Sequence, residues 1–87
     1  MRYIYFNSRD ELIRLSITSI VYFESDGNYT NVITINKLRS TIGMNLGEME
    51  KALASQLGAA STIFIRIGTR YIVNRNFICN YSAPLYT

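Results

Sequence analysis

Eighty-seven residues, 48% of them hydrophobic and 17% charged, suffice for one domain with a modest core and leave no room for two. Histidine is absent and cysteine occurs once, at Cys79, which excludes an internal disulfide and a Cys/His metal cluster, structural zinc included. The net charge of +3 is unevenly spread: residues 1–50 hold five cations against six acids, whereas residues 51–87 carry Lys51, Arg66, Arg70 and Arg75 with no acid, a one-signed field suited to a polyanionic partner.

Residues 1–7, rich in Tyr, Ile and Phe, predict a first strand, and Asn7, Ser8, Arg9 and Asp10 supply turn chemistry before a second run over 11–17. That is a hairpin. A third strand is expected over 20–24, broken by the turn formers Ser25, Asp26, Gly27 and Asn28; a fourth follows over 29–36, with Val32, Ile33 and Ile35. Asn36 and Lys37 suggest a tight turn, and 38–44 returns from it. The first half therefore reads as a meander of short strands. No apolar run approaches the ~20 residues a bilayer span requires, and residues 1–6 are too short for a signal peptide's apolar region, so a cytoplasmic protein without membrane contact is expected.

The period changes at Asn45, because Leu46, Met49, Leu53 and Leu57 recur at spacings of three, four and four. This predicts one amphipathic helix whose stripe is a core face, not a cofactor box, and must be buried on a sheet. Asn45 fits an N-cap, Glu48 three residues later completes a capping box, and Gly58 can close the C-terminus. Ala59, Ala60 and Ser61 then lead to two β-branched and aromatic runs, Phe64-Ile65-Arg66-Ile67 and Tyr71-Ile72-Val73-Asn74, separated by Gly68-Thr69-Arg70. The pattern is strand, loop, strand, with Gly68 permitting the backbone angles of a tight loop. Asn74, Arg75 and Asn76 form a polar turn, residues 77–81 a short last strand, and residues 82–87, with the lone Pro84, an extended end.

Catalysis lacks equipment here. Without histidine, a nucleophile–base pair is hard to assemble, and Cys79 lies in an apolar run. Asp10 with Glu11 sits at a hairpin turn, and Glu48 with Glu50 in a first helical turn, where acids complement the dipole. The glycines trace neither a P-loop nor a dinucleotide-binding pattern. The expectation is no enzyme, no cofactor and no metal.

What remains are loops of small polar and basic groups. Asn28, Thr30 and Asn31 offer amides and hydroxyls suited to base edges or phosphates, and Thr69 with Arg70 adds charge. Arg66 and Arg70 lie on or beside a rigid edge, where a cation is better aimed than on a floppy tail; residue type alone reads both as solvated strand-face charges. Of seven tyrosines, Tyr3, Tyr5, Tyr22 and Tyr71 fall in strand patterns, which favours a sheet role over base stacking.

Taken in order, Ile20-Val21-Tyr22-Phe23-Glu24-Ser25-Asp26-Gly27-Asn28-Tyr29, then Met44-Asn45-Leu46-Gly47-Glu48-Met49-Glu50-Lys51-Ala52-Leu53, then Phe64-Ile65-Arg66-Ile67-Gly68-Thr69-Arg70-Tyr71-Ile72-Val73-Asn74, resemble the LytTR DNA-binding domain. The resemblance spans residues 9–78 or so. That family is the output module of many bacterial two-component response regulators. The resemblance implies a mainly β fold, with small antiparallel sheets of short strands and one short amphipathic helix, and residues 1–87 as a single such domain. It also implies sequence-specific binding of double-stranded DNA in bacterial transcription regulation, by loops inserted into successive major grooves, usually at paired direct repeats.

Carried over position by position, the loop after Gly27-Asn28-Tyr29 nominates Thr30 and Asn31 for base reading, and the segment before Tyr71 nominates Gly68, Thr69 and Arg70. Phosphate anchoring then falls to Arg66, Arg75 and Arg39. Asn74 matches a motif asparagine with a structural role, and Phe64, Ile72 and Val73 match core positions.

Three features depart from the family pattern. Gly68-Thr69-Arg70 stands where many members carry a His-Arg-Ser-like string, so the cation moves by one residue, a shift that can turn a side chain to the opposite face. The family's last hairpin, with its third contact loop, has no counterpart before Thr87. No receiver domain precedes the chain, which reads either as a fragment of a larger regulator or as a stand-alone module. The alternative function is a protein-interaction or dimerisation module that kept the fold and lost DNA binding, pairing through a sheet edge at 77–81. A homodimer through such an edge or on repeated DNA sites is expected on either reading, and a single-stranded nucleic-acid binder using exposed tyrosines is a third.

Overall fold

A computed structural model describes residues 2–8 and 10–78. Seven strands and one helix follow in order: β1 (Tyr3–Ser8), β2 (Glu11–Ser16), β3 (Ile20–Asp26), β4 (Tyr29–Thr34), β5 (Arg39–Ile42), α1 (Leu46–Leu57), β6 (Phe64–Ile67) and β7 (Tyr71–Asn74). Short 3-10 turns occupy Ile17–Ser19, Gly58–Ile63 and Arg75–Phe77. β1 and β2 form a two-stranded antiparallel sheet, and the remaining strands form a five-stranded antiparallel sheet in the order β5-β4-β3-β7-β6. The architecture is the expected one, mainly β with small antiparallel sheets and one short helix.

Alternation along the strands sorts the five-stranded sheet into two faces. Pairing of Phe23 with Val32 and Ile72, and of Thr30 with Ile42, puts these residues on one face, which α1 covers with Leu46, Met49, Leu53 and Leu57. Strand β1, beside α1 and β5, adds Ile4 and Phe6 to the same buried cluster, with Ile13 and Leu15 of β2 packed against it. The helix thus packs against both sheets, and each large side chain so buried contributes roughly 1.5–3 kcal/mol. Phe23 and Phe64 meet edge to face at 5.4 Å within this core.

Both ends of α1 are finished as the sequence predicts. The Glu48 N–H donates to Asn45 Oδ1 (2.8 Å) and the Asn45 N–H donates to Glu48 Oε1 (2.9 Å), a complete capping box, while Gly58 takes φ +57° at the C-cap. Near the C-terminus, Arg2 donates to the carbonyls of Gln56 and Leu57, placing a cation at the negative end of the helix dipole. The Gln56 amide imitates a neighbouring strand: the Tyr5 N–H donates to its Oε1 (2.9 Å) and its Nε2 donates to Tyr5 O (2.8 Å). These bonds fasten the two-stranded sheet to the helix.

Two expected elements differ. β4 stops at Thr34 and β5 starts only at Arg39, because Lys37 adopts a left-handed φ of +64° and its N–H donates to Thr34 O (2.9 Å), so the connection is wider than a two-residue turn. In the expected last strand, Phe77 instead belongs to a 3-10 turn and Ile78 closes it, its N–H donating to Arg75 O (3.2 Å). The remainder of that strand, with Cys79, and the end containing Pro84 lie outside the described residues. Neither Phe77 nor Ile78 therefore offers the strand edge that pairing with a second chain at 77–81 requires. No helix among the described residues is long and apolar enough to cross a membrane.

Candidate nucleic-acid interface

β3 and β7 are neighbours, so the turns that follow β3 and precede β7 emerge at the same end of the sheet. Asp26 pairs with Tyr29 to close the first turn around Gly27 and Asn28, and Ile67 pairs with Tyr71 to close the second around Gly68, Thr69 and Arg70. Gly27 (φ +63°) and Gly68 (φ +60°) supply the left-handed angles that a Cβ would strain. A backbone bond latches the two together, the Ser25 N–H donating to Arg70 O at 2.7 Å. Thr30 Oγ1 donates to Met44 O (2.9 Å), which ties the start of α1 to this same end.

The latched turns expose Asn28, Thr69 and Arg70, and Tyr29 is 52% exposed beside them. Among the described residues, no hydrogen bond or ion pair engages the side chains of Thr69 or Arg70. A hydroxyl, an amide and a guanidinium are thereby presented together on a short, internally bonded platform. Such groups can donate to phosphates or base edges.

The other nominated residues are placed differently. Thr30 and Asn31 are buried, at 0% and 3% exposure, instead of projecting from the turn. Thr30 shares the helix face with Val32 and Ile42, and its hydroxyl is spent on Met44. On the opposite face, the Asn31 amide donates to Asp26 Oδ2 (3.5 Å) and accepts from Thr41 Oγ1 (2.7 Å). Both residues brace the turn from inside; the exposed positions that match their chemistry are Asn28 and Tyr29. Strand alternation carried the signal: with Val32 turned inward, Thr30 two residues earlier must face the core too.

The four arginines do not converge. Arg70 alone among them stands on the latched turns. Arg66, on the helix face of β6, donates through Nε to Gly68 O (2.9 Å) and through Nη1 to Glu50 Oε1 (2.9 Å). Arg39 lies on the face away from the helix, within 3.7 Å of Glu24 in an exposed ion pair that contributes little to stability. Arg75 follows β7, five residues and about 16 Å of strand from Arg70 at ~3.3 Å per residue, at the opposite end of the sheet. Tyr22 and Tyr71 stack edge to face at 6.1 Å and the Arg14 guanidinium covers the Tyr3 ring at 4.5 Å, so these three rings are engaged within the protein.

At the opposite end, Asn74 is buried and fully used. Its Nδ2 donates to Ile20 O (2.8 Å) and Ile17 O (3.3 Å), and its Oδ1 accepts from the Asn76 N–H (2.9 Å). It joins the turn before β3 to the turn after β7, a structural role.

No curated protein and no solved structure matches the chain. A family of DNA-binding domains does: residues 10–84 match the LytTr DNA-binding domain, a stretch that includes both latched turns, α1 and the Asn74 junction. With most of its length covered, the chain belongs to the LytTr DNA-binding domain family and binds DNA in transcription regulation.

Proposed function

We propose that the chain acts as a single LytTR-type module that recognises a specific sequence in double-stranded DNA, in bacterial transcription regulation and hence in the cytoplasm. The latched pair of turns at one end of the five-stranded sheet carries this reading. Thr69, Arg70, Asn28 and Tyr29 enter the major groove from that end, where Arg70 suits guanine O6 and N7 and Asn28 suits adenine N6 and N7. Thr30 and Asn31 hold the first turn in shape behind them. Arg39 and Arg75 add to the field that draws the domain to the phosphate backbone.

The test is selection of duplexes from a randomised pool, followed by anisotropy titration of the winner and a scrambled duplex at two salt concentrations. Enrichment of one site, bound well above the scrambled duplex and more weakly as salt rises, is the expected result. Equal, weak binding to both duplexes would reject sequence-specific recognition. Preference for the separated strands over the duplex would reject the groove geometry.

A further inference from the structure

We propose that Glu50 and Arg66 form a positioning clamp for the β6–β7 turn, and that Arg66 sets the direction of Thr69 and Arg70 instead of contacting phosphate. The proposal rests on the DNA-binding reading above, but its geometry stands in the free protein.

The turn is held at both ends. Gly68 O accepts from Arg66 Nε (2.9 Å), and Arg70 O accepts from the Ser25 N–H (2.7 Å), leaving the Thr69 and Arg70 side chains between two fixed carbonyls. Gly68 is the left-handed residue from which the chain reverses, so a shift of its carbonyl redirects the side chains that follow. The clamp is anchored in turn on α1, since Arg66 Nη1 donates to Glu50 Oε1 (2.9 Å) and Glu50 follows Met49, which is wholly buried in the core. A planar guanidinium reaches both acceptors at once through its fork of donors; a lysine ammonium on a flexible stem does not reproduce that geometry. The Arg66 side chain is only 31% exposed and its charge is opposed by a carboxylate, so it offers a passing phosphate little net attraction.

The experiment compares Glu50→Gln, Arg66→Lys and Arg66→Ala with the wild-type chain by two readouts. Without DNA, hydrogen exchange of the Ser25 amide, which is bonded to Arg70 O of the turn, is expected to run about threefold faster in Glu50→Gln and Arg66→Lys, the scale that loss of one exposed ion pair supports, while the Phe23 amide is unchanged. With DNA, Glu50→Gln is expected to weaken the selected duplex by about threefold while leaving the scrambled duplex as tight or tighter, and Arg66→Lys to weaken the selected duplex with its salt slope unchanged. Unaltered exchange of the Ser25 amide in both variants would overturn the clamp, whatever becomes of DNA recognition. So would tighter binding of both duplexes by Glu50→Gln together with a salt slope lowered by about 0.9 in Arg66→Ala, the signature of a phosphate contact restrained by its carboxylate. If no duplex is selected, the DNA-binding reading fails by itself and the exchange result still decides the clamp.

Discussion

The two ends of the five-stranded sheet are built from the same residue types and put them to opposite uses. At one end Asn74 is buried and its amide bonds two carbonyls and an N–H, so that its hydrogen-bonding capacity is consumed in joining two turns. At the other, Asn28, Thr69 and Arg70 are exposed on turns shaped by glycines, by backbone bonds and by the Arg66 bond to Gly68 O, which leaves their own side chains available. A polar residue inside a fold must bond internally to offset its desolvation; one on a backbone-determined turn is under no such demand. The difference separates structural asparagines from reading ones more surely than residue identity does.

The sharpest way to break that comparison is Asn74→Ala. It removes the bonds to the carbonyls of Ile17 and Ile20 and to the Asn76 N–H, although Ile17 O keeps the Ile20 N–H, and should cost about 2 kcal/mol of stability by urea denaturation, the scale expected for lost buried bonds. Base preference of the molecules that remain folded should be unchanged. A loss below about 0.5 kcal/mol, the scale of an ordinary surface change, would show that the junction does not hold the sheet together.

Arg70→Ala inverts the pattern. Its removal should weaken the selected duplex by about 1–3 kcal/mol and relax preference at one base pair. Stability should stay within about 0.5 kcal/mol, because no internal bond is lost. If the variant binds its best site as tightly as wild type, Arg70 does not read bases.

Thr30→Val probes the boundary between the two behaviours, since Thr30 lies at the reading end and yet is buried. The substitution keeps the shape and deletes the hydroxyl that bonds Met44 O, so about 1 kcal/mol of stability should be lost in denaturation while the identity of the preferred site is retained. A changed site preference would restore Thr30 to the base-reading set.

These cases also show how far the sequence could be read. Helix α1 was legible to its caps because 3.6-residue periodicity and capping are local: Leu46, Met49, Leu53 and Leu57 name the face, and Asn45, Glu48 and Gly58 name the ends. Turn positions at Gly27 and Gly68 were legible for the same reason. The burial of Thr30 was written in its alternation with Val32 but concealed by the turn residues just before it. Nothing local could show that β7 inserts beside β3, which brings the two turns together, or that Glu50 would meet Arg66 sixteen residues away. The Arg66 ion pair depends on the strand order and on how α1 crosses it, so the sequence could only present Arg66 as one cation among several.

Arg75 supplies the finest test, because it is exposed like Arg70 but belongs to the other end. Exposure and charge alone would make the two equal contributors to phosphate binding, and the charge distribution of residues 51–87 groups them. Geometry separates them: with the latched turns in the groove, a cation about 16 Å away along β7 lies behind the interface and acts through the screened field, whose reach at physiological salt is about 8 Å. Arg75→Ala should therefore weaken selected and scrambled duplexes equally, by less than about 0.5 kcal/mol, and lower the salt slope by well under the ~0.9 of a lost phosphate contact. A full loss of ~0.9 in the slope, measured on the selected duplex, would place a phosphate against Arg75. The domain would then have to lie along the DNA on the side of its sheet, so that both ends touch the backbone, and the contrast between a reading end and a supporting end would give way to a broad lateral contact.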